Sequence, residues 1–399
     1  RISGQKTFIS CGEGDLYENI IHFVLARIEG DPEGTRGISL FIVPKYPVRS
    51  DGSFGPLNDV VCTGIERKMG LHGSPTCTMV FGENGECVGR LLGKEREGMR
   101  MMFHMINEAR LAVARQGLAV ASSAYLHSLS YARERLQGQD PANPAAGVQV
   151  PIIRHPDVRR MLLRMRSYVD GMRMLAYYTA LQIDTARHAS GDEAAEAGSL
   201  VDFLIPICKA GCTDTGVLVS SEAVQVHGGY GFCADYPVEQ LYRDVRIAPI
   251  WEGTNAIQSL DLIMRKMLLD PGRRMYGLWK DRVLSTVEDC RPLVDGKYVS
   301  AVERAVKALD EAVAVMKARY EARDTLQIYA DATVLQQAFF MASLAWMHLW
   351  GLSKAIEKSG MDPAALPIEA EGDSGKSFFV GRALASRFYL GVEFPLFFG

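Results

Sequence analysis

Cysteine is scarce in this chain: eight among 399 residues, with no pair at C-x-x-C spacing. A disulfide-stapled scaffold and the common zinc-ribbon and dithiol motifs are thereby excluded. Cys208 and Cys212 stand one helical turn apart with no histidine at ligand spacing. Small buried residues are expected there, a metal site is the weaker alternative, and no metal is assigned. Reduced thiols fit a bacterial cytoplasm or a mitochondrial matrix. Charge of one sign is missing too. Lysine and arginine number 44 against 47 aspartates and glutamates, for a net charge of -3. Nothing supplies the excess positive charge that nonspecific nucleic-acid binding or an anionic membrane surface rewards, apart from any local basic patch. Long apolar runs are absent as well. The longest, AFFMASLAWMHLWGL at residues 338–352, is shorter than a bilayer requires and contains His348, which points to a buried helix and no membrane span.

What remains is an ordinary globular composition, 48% hydrophobic and 23% charged, in a chain longer than one core usually serves. It opens at Arg1 with RISGQKTFIS and no signal-peptide pattern, as if inside a strand region, so a missing amino-terminal portion is expected. Residues 1–95 read as β. Runs at 6–10, 20–28, 38–43, 60–65, 76–81 and 87–92 are rich in β-branched and aromatic residues and are separated by turn clusters such as GEGD, DPEG and GENGE. Six such strands without intervening helices predict an antiparallel sandwich or barrel. From Gly98 the period becomes helical. Leu111, Leu118, Tyr125 and Leu129 mark a first helix, and Val158, Leu162, Met165, Val169, Met172, Ala176, Thr179 and Ile183 form the seam of a second that opens at Pro156. A third is expected over 194–226 and a fourth from Thr254 to about 268, which makes a four-helix bundle over 96–270. Asp270-Pro271-Gly272 reads as a boundary, and helices at 300–322, 327–358 and 376–390 make 271–399 a further helical domain. The fold class is multidomain α+β.

Two stretches do not look like packing. In Gln225-Val226-His227-Gly228-Gly229-Tyr230-Gly231 the glycines would let backbone N–H groups approach a phosphate or a ring; a helix C-cap and turn is the plainer reading. In Ile250-Trp251-Glu252-Gly253-Thr254-Asn255-Ala256-Ile257-Gln258, the carboxylate ahead of a helix is either a solvated first-turn residue or a general base whose proton affinity is raised in an apolar cleft.

Taken together these stretches, 27 residues apart with YPVEQLYRDVRI between them, resemble the acyl-CoA dehydrogenase family pattern Q-x-x-G-G-x-G, Y-P-V-E-x-x-x-R-D and Y/W-E-G-T-x-x-I-Q. GQKTFIS at residues 4–10, Lys68-Met69-Gly70, Asn107-Glu108-Ala109-Arg110 and Tyr131-Ala132-Arg133-Glu134-Arg135 look like further family landmarks, so the likeness covers roughly residues 1–268. It implies FAD as cofactor and α,β-dehydrogenation of an acyl-CoA thioester, with Glu252 taking the α-proton. Arg135, Leu136 and Gln137 would meet the FAD pyrophosphate and its surroundings, and Gln225, Val226, His227, Gly228 and Gly229 would reach the FAD of a neighbouring subunit. Phe8, Ile9 and Ser10 would lie along the flavin, Phe8 and Ser10 replacing the usual tryptophan and threonine. Thr254 and Asn255 would follow the base in the flavin-contacting run. Asn107, Arg110 and Gly253 would face substrate, Asn107 standing where an acid is commoner. His155 would touch flavin in relatives, although a lone histidine at a helix start is more often a cap.

The resemblance also implies a homodimer or dimer of dimers, and an electron-transferring flavoprotein as acceptor. A family member has an N-terminal helical domain that is not seen here, and the residues after 270 resemble the larger subgroup with an extra C-terminal helical domain. The chain therefore looks like the latter two-thirds of such an enzyme. Two other functions share this scaffold: an acyl-CoA oxidase-like or nitroalkane-oxidising flavoenzyme, the latter disfavoured by Glu in place of Asp at 252, and a non-enzymatic DNA-binding relative, disfavoured by the balance of charge.

Overall fold

The computed structural model describes residues 1–144, 147–360 and 374–398. They form two compact units, Arg1–Ala109 and Arg110–Gly399.

The first unit holds the six expected strands. β1 (Gly4–Ser10), β5 (Thr76–Phe81) and β4 (Val60–Ile65) make one antiparallel sheet in the order β1-β5-β4. β2 (Ile21–Arg27), β3 (Ile38–Pro44) and β6 (Arg90–Leu92) make the other, in the order β2-β3-β6. Strict alternation along β5 turns Cys77, Met79 and Phe81 inward, where they meet Val24, Val43 and Val60. This is a sandwich. Pairing of β4 with β5 slips between Cys62 and Gly64, and pairing of β1 with β5 slips between Lys6 and Ile9, where Phe8 sits at φ 58°.

The second unit is helical. α1 (Gly98–Glu134) runs across the division between the units, followed by α2 (Pro156–His188) and α3 (Gly191–His227). The expected seam of α2 is the buried one, from Leu162 through Met165, Val169, Met172 and Ala176 to Thr179. α1 and α3 cross on glycines. A Cβ built on Gly117 would lie 2.5 Å from the Cys212 carbonyl oxygen, and one on Gly216 would lie 2.9 Å from that of Gly117. α4 (Pro237–Val245) and α5 (Asn255–Leu260) follow, and α5 runs into a π-helical stretch, Asp261–Leu268.

After a 3-10 turn at Pro271–Arg273 come α6 (Arg274–Cys290), α7 (Gly296–Glu321), α8 (Thr325–Ser359) and α9 (Ser374–Phe388). The sequence divides these helices from the bundle at 270, yet both sets belong to one compact unit and one core. Phe203 of α3 packs on Trp279 of α6 at 6.1 Å and on Phe339 of α8 at 5.5 Å between ring centroids. α4 and α6 lie where no helix was expected, and a two-stranded ribbon, Leu136–Gln139 (β7) with Gln149–Pro151 (β8), lies between α1 and α2. α3 alone among the described helices is long and apolar enough to cross a membrane, but it is buried in this core.

Candidate functional site

α3 ends where Gly228 takes φ 60°, and Gly228–Phe232 continues as a 3-10 turn. A cleft of about 650 Å³ opens there. Arg135 and Gln137 from the end of α1 and β7 line it, opposite Gln225, Val226, Gly228 and Gly229 from the end of α3. A Cβ on either glycine would meet nothing within 4 Å, so both leave backbone accessible from the open space. Aromatic stacking builds the wall. Tyr131 stacks on His227 at 4.3 Å, and the Arg135 guanidinium lies 5.3 Å from the Tyr230 ring centroid. His227 is buried with its Nδ1 2.8 Å from the Ala223 carbonyl oxygen, and burial pushes its pKa down. His155 also lines the cleft, and its Nε2 lies 2.7 Å from the Gln137 carbonyl oxygen. Leu136 is exposed on β7 and is not among the lining residues. An exposed, permanently charged guanidinium, amide groups and glycine backbone on an apolar wall suit a ligand with phosphates and ring systems, so the cleft fits a dinucleotide.

Glu252, Gly253 and Thr254, on the turn between α4 and α5, and Asn255, the first residue of α5, are not among the residues lining that cleft. Glu252 and Gly253 both have positive φ, 52° and 83°. For glutamate this backbone costs roughly 1–2 kcal/mol, so the rest of the turn must hold it. Thr254 caps α5, its hydroxyl accepting from the Ile257 N–H at 3.4 Å. Trp251 packs on Val113, Val245 and Ala248. Asn255 directs its whole amide at α3: Oδ1 accepts from Lys209 Nζ at 2.9 Å, and Nδ2 donates to Asp214 Oδ1 at 2.8 Å and Thr213 Oγ1 at 3.0 Å. Lys209 Nζ also donates to the Gly253 carbonyl oxygen at 2.8 Å. Gln258 Nε2 donates to the same oxygen at 3.2 Å.

The Glu252 N–H makes no hydrogen bond among the described residues, whereas its side chain is exposed. Of the two readings of this carboxylate, the solvated one describes this chain by itself. The turn places its apolar contact at Trp251, and this chain alone does not desolvate Glu252.

Arg110 is buried, with Nη1 2.9 Å from Asp261 Oδ2, while Lys266 Nζ lies 3.6 Å from the same oxygen. The guanidinium expected at the substrate thus has a structural partner, while its buried Nε makes no hydrogen bond among the described residues. Asn107 lies in α1, and its side chain falls outside the described residues. In the first unit Phe8 and Ser10 are exposed, whereas Ile9 packs against the sandwich core.

Lys209, Thr213 and Asp214 escaped the sequence reading, whereas Gln258 closes the stretch that begins at Ile250. One signal was available: Lys209 stands at the centre of LIPICKAGC, where helical packing calls for an apolar side chain.

Residues 96–268 match the family described as acyl-CoA dehydrogenase, C-terminal domain, and residues 281–399 match acetyl-CoA dehydrogenase C-terminal like. A 3-methylmercaptopropionyl-CoA dehydrogenase of Ruegeria pomeroyi is 50% identical over 272 residues, 68% of this chain and 46% of its own length. A butyryl-CoA dehydrogenase of Syntrophomonas wolfei is 34% identical over 411 residues, 100% of this chain and 65% of its own length. A crystal structure of an acyl-CoA dehydrogenase complexed with FAD, from Bacillus anthracis, shares the fold with a TM-score of 0.69 at 22% identity, over 99% of this chain and 63% of that one. The chain thus spans about half to two thirds of the length of these relatives. With adjoining family matches over its helical unit and a likeness to the butyryl-CoA enzyme along its whole length, the chain belongs to the acyl-CoA dehydrogenase family.

Proposed function

We propose that this chain is the catalytic part of an FAD-dependent enzyme that removes hydrogen from Cα and Cβ of an acyl-CoA thioester to give the trans-2-enoyl-CoA. The observation that carries this is the Glu252 turn, where a carboxylate on a held, positive-φ backbone stands beside an N–H with no partner. A thioester α-proton is far too weakly acidic for a carboxylate unless charge developing on the carbonyl oxygen is stabilised. The Glu252 N–H would donate to that oxygen while its own carboxylate takes the α-proton. Water must be excluded for the carboxylate to act as a strong base, and an acyl chain lying over an exposed Glu252 would do this. FAD, when bound, supplies the acceptor for the hydride that leaves Cβ.

Arg135, Gln225, Gly228 and Gly229 would hold the dinucleotide, and Phe8 and Ser10 would meet its ring system. The residues of the Glu252 turn are not among those lining the cleft at the end of α3, which supports a homodimer whose subunits each complete the other's cofactor site. The relative named for 3-methylmercaptopropionyl-CoA makes that thioester the first substrate to try. An electron-transferring flavoprotein would then reoxidise the flavin.

The test is anaerobic addition of 3-methylmercaptopropionyl-CoA, butyryl-CoA and longer acyl-CoAs to the FAD-loaded enzyme, following flavin bleaching. At least one should bleach the wild type, and Glu252→Gln should abolish bleaching while FAD stays bound. Bleaching that persists in Glu252→Gln would show that the base lies elsewhere.

A further inference from the structure

Lys209 is fully buried in the middle of α3, which alone among the described helices is long and apolar enough to cross a membrane. A cation in such a place is costly unless its donors are used. Two of them are, on the two ends of one short segment: the Gly253 carbonyl at 2.8 Å and the Asn255 amide oxygen at 2.9 Å. Asp214, Arg110 and Glu252 act on the ammonium through space, and Asp261 stands behind Arg110 as its ion-pair partner. The strained residue therefore has a charged tether immediately after it, anchored in a helix that cannot move without opening the core.

We propose that Lys209 is the positioning residue of the Glu252 turn, fixing the base in its left-handed backbone and providing a buried positive charge behind it. This rests on the reading of Glu252 as the base. Geometry and charge can be separated. A neutral amine retains two N–H donors, enough for both bonds, so loss of the proton removes the charge and leaves the turn in place. Burial pushes the Lys209 pKa down to about 8, against Asp214 and Glu252, which hold the ammonium charged. The charge is therefore lost within an accessible pH range.

The experiment is rapid-mixing reduction of the holoenzyme by its best acyl-CoA across pH 6–10, alongside ¹⁵N NMR of the Lys209 amine, assigned with Lys209→Arg. The wild-type rate should fall on the alkaline side with a midpoint near the amine's own, about 8. Lys209→Met should slow reduction on the order of 10²-fold, the effect of a displaced catalytic group, and should lack the alkaline limb, with FAD content unchanged. If Lys209→Met does not fold, Lys209→Arg decides, because a guanidinium stays charged and should move the limb out of range.

Wild-type rate and pH profile in Lys209→Met, an unmoved limb in Lys209→Arg, or an amine that titrates near 10 would each overturn the proposal. Glu252→Gln run in parallel distinguishes the two levels. If it still bleaches, the base itself is misassigned and the tether falls with it. If it is inert while the Lys209 variants behave as wild type, only the tether is wrong.

Discussion

Replacing Gly117 with alanine sets two opposed effects against each other. In a helix interior alanine is favoured over glycine by about 1 kcal/mol. At this position, however, the new Cβ would lie 2.5 Å from the Cys212 carbonyl oxygen and 3.0 Å from the Thr213 Cα. Those atoms are backbone of α3 and cannot rotate away, so α1 and α3 must separate. Overpacking of this kind costs typically 1–3 kcal/mol, and a backbone obstacle puts it at the upper end. The net expectation is a loss of about 1–2 kcal/mol. All four tryptophans, at 251, 279, 346 and 350, lie in the helical unit, so urea unfolding followed by tryptophan fluorescence reports on that unit. The midpoint should fall while the slope stays unchanged. Gly216→Ala meets Gly117 from the other side, at 2.9 Å from its carbonyl oxygen, so the double variant should cost less than the sum of the two. The crossing lies two turns beyond Arg110 on α1 and one turn beyond Lys209 on α3, so flavin reduction should slow as well. A Gly117→Ala protein as stable as the wild type, or more so, would refute the close crossing.

Asp261→Asn would leave the buried Arg110 and Lys266 without their shared carboxylate and should cost about 3–5 kcal/mol by urea unfolding, part of which Lys266→Met in the same chain should restore. His348 is buried, its Nε2 donating to the Ser167 carbonyl at 3.0 Å and its Nδ1 accepting from Ser386 at 3.1 Å; burial pushes its pKa down to about 4, with Asp170 opposing. Between its ordinary value of 6.5 and about 4, the unfolded chain binds a proton that the folded one does not. Stability should be complete above that window and fall as the pH drops through it, and His348→Gln should flatten that part of the urea-midpoint profile. An identical slope in the variant would count against the assignment. Arg135→Met should weaken FAD binding roughly 10- to 100-fold in a titration of the apoprotein, as loss of one charge-assisted contact implies, with the far-ultraviolet spectrum unchanged because Arg135 is exposed.

Much of this fold was legible because its periodicities are local. The alternation in Thr76–Phe81 and the seam from Leu162 to Thr179 give the same answer in the sequence and in the structure. α6 was passed over although Tyr276, Trp279, Val283, Val287 and Cys290 recur at steps of three and four, because the glycine and prolines at its flanks dominated the reading. The division at 270 falls between the two family matches, yet one compact unit runs across it. Pro271-Gly272 marks a turn, but whether the helices on either side share a core depends on Phe203 meeting Trp279 and Phe339, contacts between distant positions that no local pattern encodes. The candidate site was legible as motifs and not as mechanics. Gln225–Gly229 and Arg135 do line one cleft, but the exposure of Glu252 and the latch formed by Lys209 and Asn255 arise from the way α3 packs on the turn.

The anchoring of Glu393 has a consequence for synthesis. Its carboxylate accepts from Arg164 Nε at 3.1 Å and from the Tyr168 hydroxyl at 3.0 Å, and the first of these contacts bridges 229 positions of chain. At about 5–20 residues per second, the ribosome takes roughly 10–45 s to deliver that partner after α2 has emerged. For that interval a nascent α2 carries an uncovered phenol, and an arginine that among the described residues only Glu222 can pair, on what will become an interior face, so a chaperone encounter would find its target there, well before the polypeptide can finish its own packing.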